Sequence, residues 1–292
     1  MKNTIFVTMA VLALALLNSC TDKDTVPIDT TTYHPSSVSS FPMSLGQAES
    51  MSHDLLITAL NFAGDTSLWN IGGFPIVTAT SDTSYPRTIT IDFGTADTTT
   101  LLHTAIGDMR TRSGILSITL TDEWHKSGSN ITITATSLRL SGMMTCNGVI
   151  EFANRGKHNY LTKQCPFFDF VTNNIIFSKK EGKSFRYSAN KIYHMTSGDT
   201  TATIYDDVFY ISGTSTATQD TNFLSLSISG HYYAPHSCFW FKEGSATISE
   251  DKINRTLSFN NTNCSPMANL ILVIEGYNDT DVVYSNRYID LP

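Results

Sequence analysis

The stretch HYYAPHSC brings His231, His236 and Cys238 close together and is the nearest the chain comes to a metal-ligand set. A structural zinc site takes four ligands in close pairs. On a strand His236 and Cys238 share a face while His231 lies beyond Pro235, so no metal is expected. Asp279 and Asp281 make a D-x-D fragment, but a calcium loop needs more oxygen ligands at set spacing. The adjacent carboxylates Asp206-Asp207 and Asp122-Glu123 point to opposite faces of a strand and form no ready acid–base couple. Carboxylates from distant strands can still converge, as glycosidases require. There is no G-x-S-x-G nucleophile motif, and EGKS (Glu181 to Ser184) has Phe177 where a phosphate-binding loop needs its first glycine. No catalytic residue and no cofactor is therefore assigned. Tyr232, Tyr233, Phe239, Trp240 and Phe241 could stack on a sugar, but their alternation puts at least one face of the group in a core.

The sharpest chemistry lies at the beginning of the chain. Lys2 precedes an apolar run from Ile5 to Leu17, interrupted only by Thr8. That is the length of an export signal rather than a membrane span. The run ends Leu17-Asn18-Ser19-Cys20, which resembles the lipobox of bacterial lipoproteins. The resemblance implies cleavage after residue 19, lipid on Cys20 and attachment to a membrane through that lipid, each buried CH₂ contributing about 0.8 kcal/mol. Asn18 departs from the small or branched residue usual in the motif. Loss of residues 1–19 removes one of 19 basic residues against 26 acids, leaving a net charge of −8. That balance lacks the basic footprint of a nucleic-acid binder.

Residues 20–44 are rich in Thr, Ser and Pro and read as a flexible tether that cannot bury enough apolar surface to fold. Its start, Asp22-Lys23-Asp24, resembles the acidic export signals of surface lipoproteins in Bacteroidota, which implies the outer membrane, surface-exposed or periplasmic. The triplets beginning at Asp24, Asp29, Asp97 and Asp199 resemble the D-[ST]-apolar/Thr site of O-glycosylation in that phylum. The resemblance implies Thr25, Thr30, Thr98 and Thr200 as the modified positions.

Residues 45–292 must supply whatever scaffold positions these groups. One short helix is expected, with a capping box at Ser44 and Gln47, an apolar series Ala48, Met51, Leu55, Leu56, Ala59 and Phe62, and Gly64 as its stop. Downstream the pattern has period two, as in RTITIDFG, GILSITLT, NITITATSLRL and FLSLSIS, with one apolar and one Thr/Ser face. Turns such as KSGSN and SEDKIN are short. The fold class is all-β: an antiparallel meander of long hairpins, as a curved sheet, sandwich or open barrel. VTATSDTSYPRTITIDFG followed by GILSITLT echoes GSATISEDKINRTLSFNN followed by NLILVIEG, which suggests two related lobes or halves of one sheet.

Four cysteines remain after Cys20, in a chain expected to be exported. Cys146 and Cys165 are equidistant from the turn-like NRGK, and Cys238 and Cys264 from the middle of SEDKIN. Opposed hairpin positions suit a disulfide, so the expected bridges are Cys146–Cys165 and Cys238–Cys264.

With the lipobox, RTITIDFG, MRTRSGILSITLT and YDDVFYISGTSTA together, the chain resembles a group of uncharacterised Bacteroidota cell-envelope lipoproteins over roughly residues 87–276. That pattern places a cysteine after the DFG element where this chain has TADTTT. The resemblance implies an address and a fold but no activity. The expected role is non-catalytic binding or scaffolding at the envelope, with a protein or glycan ligand. The alternatives are a carrier of an apolar or glycan ligand and an envelope glycan hydrolase.

Overall fold

A computed structural model describes residues 41–70, 75–81, 83–95, 111–140, 144–161, 163–179, 182–201, 204–238, 240–250, 253–260, 267–275 and 282–290, with backbone alone for residues 253 and 260 and from 267 onward. One α-helix, a 3-10 turn at Thr66–Asn70 and fourteen strands are seen among the described residues. The helix, α1, runs Phe41–Gly64. The strands are β1 (Ile76–Ala79), β2 (Arg87–Asp92), β3 (Arg112–Leu120), β4 (Asn130–Leu140), β5 (Met144–Tyr160), β6 (Lys163–Lys179) and β7 (Phe185–Ser197). They continue as β8 (Val208–Gln219), β9 (Asn222–Ile228), β10 (Tyr232–Pro235), β11 (Glu243–Glu250), β12 (Ile253–Asn260), β13 (Met267–Glu275) and β14 (Val282–Asp290). All pair antiparallel with their neighbours in one sheet. β9 and β10 together fill a single rank between β8 and β11, because each pairs with both. The all-β meander with one helix is thus the observed class.

The strands form where β-branched residues alternate with Thr and Ser. In β2, Arg87, Ile89 and Ile91 turn inward while Thr88 and Thr90 turn outward. Across the β2–β3 pair the outer hydroxyls of Thr88 and Thr119 meet at 3.1 Å. The inner face is a continuous apolar layer from Ile89 to Phe259.

What that layer covers is the helix. α1 begins at Phe41, with Pro42 in the first turn, where a missing N–H costs nothing. The helix therefore starts before the expected capping box, and Ser44 lies inside it, buried. It is 24 residues in length, and among its residues only Met43, Gln47 and Gly64 escape full burial. A helix buried all round is normally apolar all round, whereas this one carries Glu49, Ser52, His53, Asp54 and Asn61 into the interior. The curved sheet answers with inward polar groups. Lys191 Nζ and Tyr187 Oη each donate to the Glu49 carboxylate at 2.7 Å, and Ser215 Oγ donates to it as well. Arg112 Nη2 donates to Asp54 Oδ1 at 2.8 Å. Near the last turn, His236 Nε2 donates to Asn61 Oδ1 at 2.8 Å. The final carbonyls are capped by Trp69 Nε1 on Phe62 and Arg87 Nη2 on Ala63, both at 2.8 Å. A cation there also suits the helix dipole.

Two expectations are corrected. NRGK is not a turn. β5 and β6 stay paired past it as far as Tyr160 and Lys163, and the register shift between Asn154 and Lys157 makes it a bulge. Gly156 takes φ +88° there and donates its N–H to Asn154 Oδ1 at 2.8 Å, which lets the extra residue fit. Cys146 therefore sits opposite Phe177 and Cys165 opposite His158. At roughly 3.3 Å per residue along the strand, that offset far exceeds the ~7 Å a disulfide spans. The Cys146–Cys165 bridge is not made, and both are buried free thiols.

SEDKIN does connect a hairpin, with Glu250 opposite Ile253, one residue out of the register that would oppose positions 238 and 264. Cys238 precedes β11, is buried and is a disulfide cysteine; Cys264 lies outside the described residues. The internal echo corresponds to two three-stranded meanders, β1–β2–β3 and β11–β12–β13. Arg87 and Arg255 are matched and both buried. The two meanders stand toward opposite margins of one sheet in one compact unit rather than in two lobes. No described helix is long and apolar enough to cross a membrane.

Removing one member of a buried ion pair strands the other charge. Glu49→Ala should cost about 3–5 kcal/mol in urea unfolding because it leaves Lys191 uncompensated. Combining Glu49→Leu with Lys191→Met should recover most of that loss. A single-variant cost below ~1 kcal/mol would show that the pair does not hold the helix in place.

Candidate functional site

The sheet leaves a cleft of about 570 Å³ where α1 ends. Its floor is the helix terminus, Ala63 and Gly64. One wall comes from Arg87 at the start of β2 and Tyr85 two residues before it, and from the β3–β4 turn with Glu123, Trp124 and His125. The other comes from Lys157 on β5, Pro166 and Phe168 on β6, and Met195 on β7. The β7–β8 connection from Gly198 to Asp207 closes it. These positions are far apart in sequence and meet because the bulged β5–β6 hairpin and the β7–β8 turn overhang the same end of the sheet.

Aromatic faces and charge alternate around the cleft. Trp124 packs on Phe168 with ring centroids 5.8 Å apart. The Arg87 guanidinium lies 5.0 Å from the Tyr85 ring and 5.5 Å from the Trp69 ring. Lys157 Nζ donates to Asp199 Oδ2 at 2.8 Å. Thr201 Oγ1 donates to Asp206 Oδ1 at 2.9 Å. Asp207 differs from both of those carboxylates. Its side chain is 3% exposed, lines the cleft and has no hydrogen-bond partner among the described residues. Only its backbone is used, the N–H donating to the Ile204 carbonyl at 3.3 Å and the carbonyl accepting from the His236 N–H at 2.8 Å. Burial, with repulsion from Asp206 and Asp199, pushes its carboxyl up to about 7. Gly198 makes room for it: at φ +91°, an added Cβ would fall 1.9 Å from Asp207 Oδ1.

A second concentration of chemistry-bearing groups occupies the outer face of the same strands. Tyr160 stacks on His194 at 3.9 Å, and His158 lies 5.1 Å from His194. His231 approaches Tyr160 at 5.6 Å, and Tyr210 lies 5.4 Å from Tyr233. Burial, then His158 and His231, push His194 down to about 4. Burial alone takes His236 to about 4.

The sequence candidates scatter over this frame. His231 faces outward beside Tyr160, whereas His236 and Cys238 are buried. No group of three or more His, Cys, Asp or Glu able to hold a metal occurs among the described residues. Tyr232 and Phe241 pack into the core with Phe259, and Trp240 is half-buried against it. Tyr233 turns outward, and Phe239 lies outside the described residues. Asp122 is exposed and paired with Lys126 at 2.9 Å, while its neighbour Glu123 lines the cleft. Lys183 of EGKS pairs with Asp220. Thr200 is exposed at the cleft rim. Cys20, Thr25, Thr30, Thr98, Cys264, Asp279 and Asp281 lie outside the described residues. Sequence reasoning missed Tyr85, Trp124, Lys157 and Asp199 as a group, and it dismissed Asp207 because adjacency to Asp206 was its only visible feature. No family model, no curated protein and no solved structure matches the chain.

The shifted groups set opposing pH dependences. His194 and His236 have folded-state values below the unfolded 6.5, so the unfolded chain takes the proton first and stability is lost as pH falls from 6.5 toward 4. Asp207 has a folded value above the unfolded 3.8, so its ionisation removes stability as pH rises from 3.8 through about 7. Asp207→Asn should therefore stabilise the protein at pH 8 by on the order of 2–4 kcal/mol relative to its effect at pH 4. Thermal melts at the two pH values check this. Equal effects at both would show that Asp207 is not held protonated.

Proposed function

We propose that this is a lipoprotein of the cell envelope, held to the outer membrane through lipid on Cys20, that binds a carbohydrate in the cleft at the end of α1. Binding is non-catalytic. One observation supports the ligand class above the others: the cleft interleaves the rings of Tyr85, Trp124 and His125 with Lys157, Asp199 and Thr201. Sugar rings present apolar C–H faces together with hydroxyls and need both kinds of neighbour. An apolar cargo would desolvate the Lys157–Asp199 pair and the Thr201 hydroxyl without offering them a polar neighbour. The position of the cleft suits such a role. α1 is 24 residues long, so its two ends are separated by roughly 36 Å. The tether leads into Phe41, and the cleft opens at the other end.

Envelope hydrolysis is the second reading, favoured by Asp207. A buried carboxyl pushed up to about 7 beside Asp199 and Asp206 has the protonation behaviour of a general acid.

Calorimetry against a panel of envelope and dietary oligosaccharides should find a binder whose affinity falls at least about tenfold in Tyr85→Ala or His125→Ala. His125 is exposed and Tyr85 only partly buried, and circular dichroism should show both variants folded. Affinity unchanged in both variants would reject the cleft as the site, and release of new reducing ends, lost in Asp207→Asn, would favour the hydrolase.

For the address, Cys20→Ala should move the protein out of the membrane fraction or leave its precursor uncut. Variant protein that is processed and pelleted like wild type would overturn the lipid anchor.

A further inference from the structure

Every other charge around the cleft has its partner within the fold. Lys157 is committed to Asp199 at 2.8 Å, and Lys126 to Asp122 and Glu123 at 2.9 and 3.5 Å. Arg87 donates to the carbonyl that ends α1, and Asp206 accepts from Thr201. His125 stands near Glu123 at 3.4 Å. His236, behind the β7–β8 connection, gives its ring N–H to Asn61 and only its backbone N–H toward Asp207. Among the carboxylates that line the cleft, Asp207 is the buried one whose oxygens have no hydrogen-bond partner among the described residues.

We propose that the ligand of this cleft carries a protonated aliphatic amine and that Asp207 is its counter-charge. The inference rests on the cleft being the ligand site and adds the chemical class of the group bound there. A neutral hydroxyl could donate to the carboxylate, but it would leave the repulsion from Asp206 and Asp199 in place. A ligand anion would add to that repulsion. An ammonium group relieves both, since it donates hydrogen bonds and supplies the missing positive charge in a site where charges are poorly screened. The Trp124 ring, which lines the same cleft, adds an aromatic neighbour of the kind cations favour. Ionisation of Asp207 then becomes part of binding. The amine is held more tightly as pH rises through the range in which the carboxyl loses its proton, and an aliphatic amine stays charged throughout that range.

The test uses two matched probes, the 2-aminoethyl and 2-hydroxyethyl glycosides of the best-bound oligosaccharide from the panel, or of cellotriose if none binds. Calorimetry at pH 8 should give about tenfold tighter binding of the amine. That preference should shrink to below about twofold at pH 5, and to the same extent in Asp207→Asn at pH 8. Carbon NMR of the Asp207 carboxyl should show its titration moving to lower pH when the amine is added. Equal binding of the two probes overturns the inference and leaves the cleft as the carbohydrate site. A preference that survives in Asp207→Asn assigns the amine to another group and also overturns it. Absence of binding by both probes, with the carboxyl signal unmoved, rejects the inference together with the reading on which it rests.

Discussion

Glu49 and Lys191 meet in the middle of the protein with neither side chain exposed, and Asp54 and Arg112 meet likewise on the next turn of the helix. Desolvating four charges is expensive, and such pairs seldom add net stability over apolar replacements. Their effect is on geometry. A helix enclosed by a curved sheet could slide along its axis or rotate with little change in apolar contact, because Leu, Ala and Ile side chains are near-equivalent partners. Ion pairs to β3 and β7, with Tyr187 and Ser215 converging on the same Glu49 carboxylate, leave one depth and one rotation in which no charge is stranded. The position of Gly64, and with it the floor of the cleft, follows from that constraint.

The sheet's inner polar groups make sense only with the helix in place. Lys191 on β7 and Arg112 on β3 would each be an uncompensated interior charge if the helix were withdrawn. Helix and strands are therefore mutually required, and the contacts joining them are distant in sequence. Formation of the sheet's centre should precede or accompany burial of α1 rather than follow from the helix alone, since non-local pairings carry the loop-closure cost.

How far the sequence was legible follows from the range of each signal. Period-two alternation is local, so β2, β3, β4 and β9 could be read directly from RTITID, SITL, NITITA and FLSLSI. The helix was legible from Ala48 to Gly64, but its first turn was hidden because Phe41-Pro42 sits in a Ser/Pro-rich context typical of a tether. NRGK carried a turn's composition yet formed a bulge. Gly156 at positive φ serves either purpose, and only the continued pairing of both strands to Tyr160 and Lys163 decides between them. That single ambiguity accounts for the failed Cys146–Cys165 pairing. The cleft left almost no local trace, because Tyr85, Trp124, Lys157 and Asp207 come from four separate connections and strand ends. Burial of Glu49 and Asp54 was equally invisible, since charged residues on a helix ordinarily mark a solvated face.

The same logic explains why the cleft lies where it does. Along most of α1 the charged groups of the helix find their match on the sheet, Glu49 with Lys191 and Asp54 with Arg112, so no charge is left over. At Gly64 the helix stops, its carbonyls are taken by Trp69 and Arg87, and the sheet continues past it through the overhanging β5–β6 hairpin and β7–β8 turn. Beyond that point the interior of the sheet has no helix to cover, and the inward-facing residues at this end line open space instead. Asp207 belongs to this zone. A few residues closer to the helix's middle it would have needed a buried lysine, as Glu49 does. Beyond the helix end the fold supplies no such partner, and the open cleft lets one come from outside.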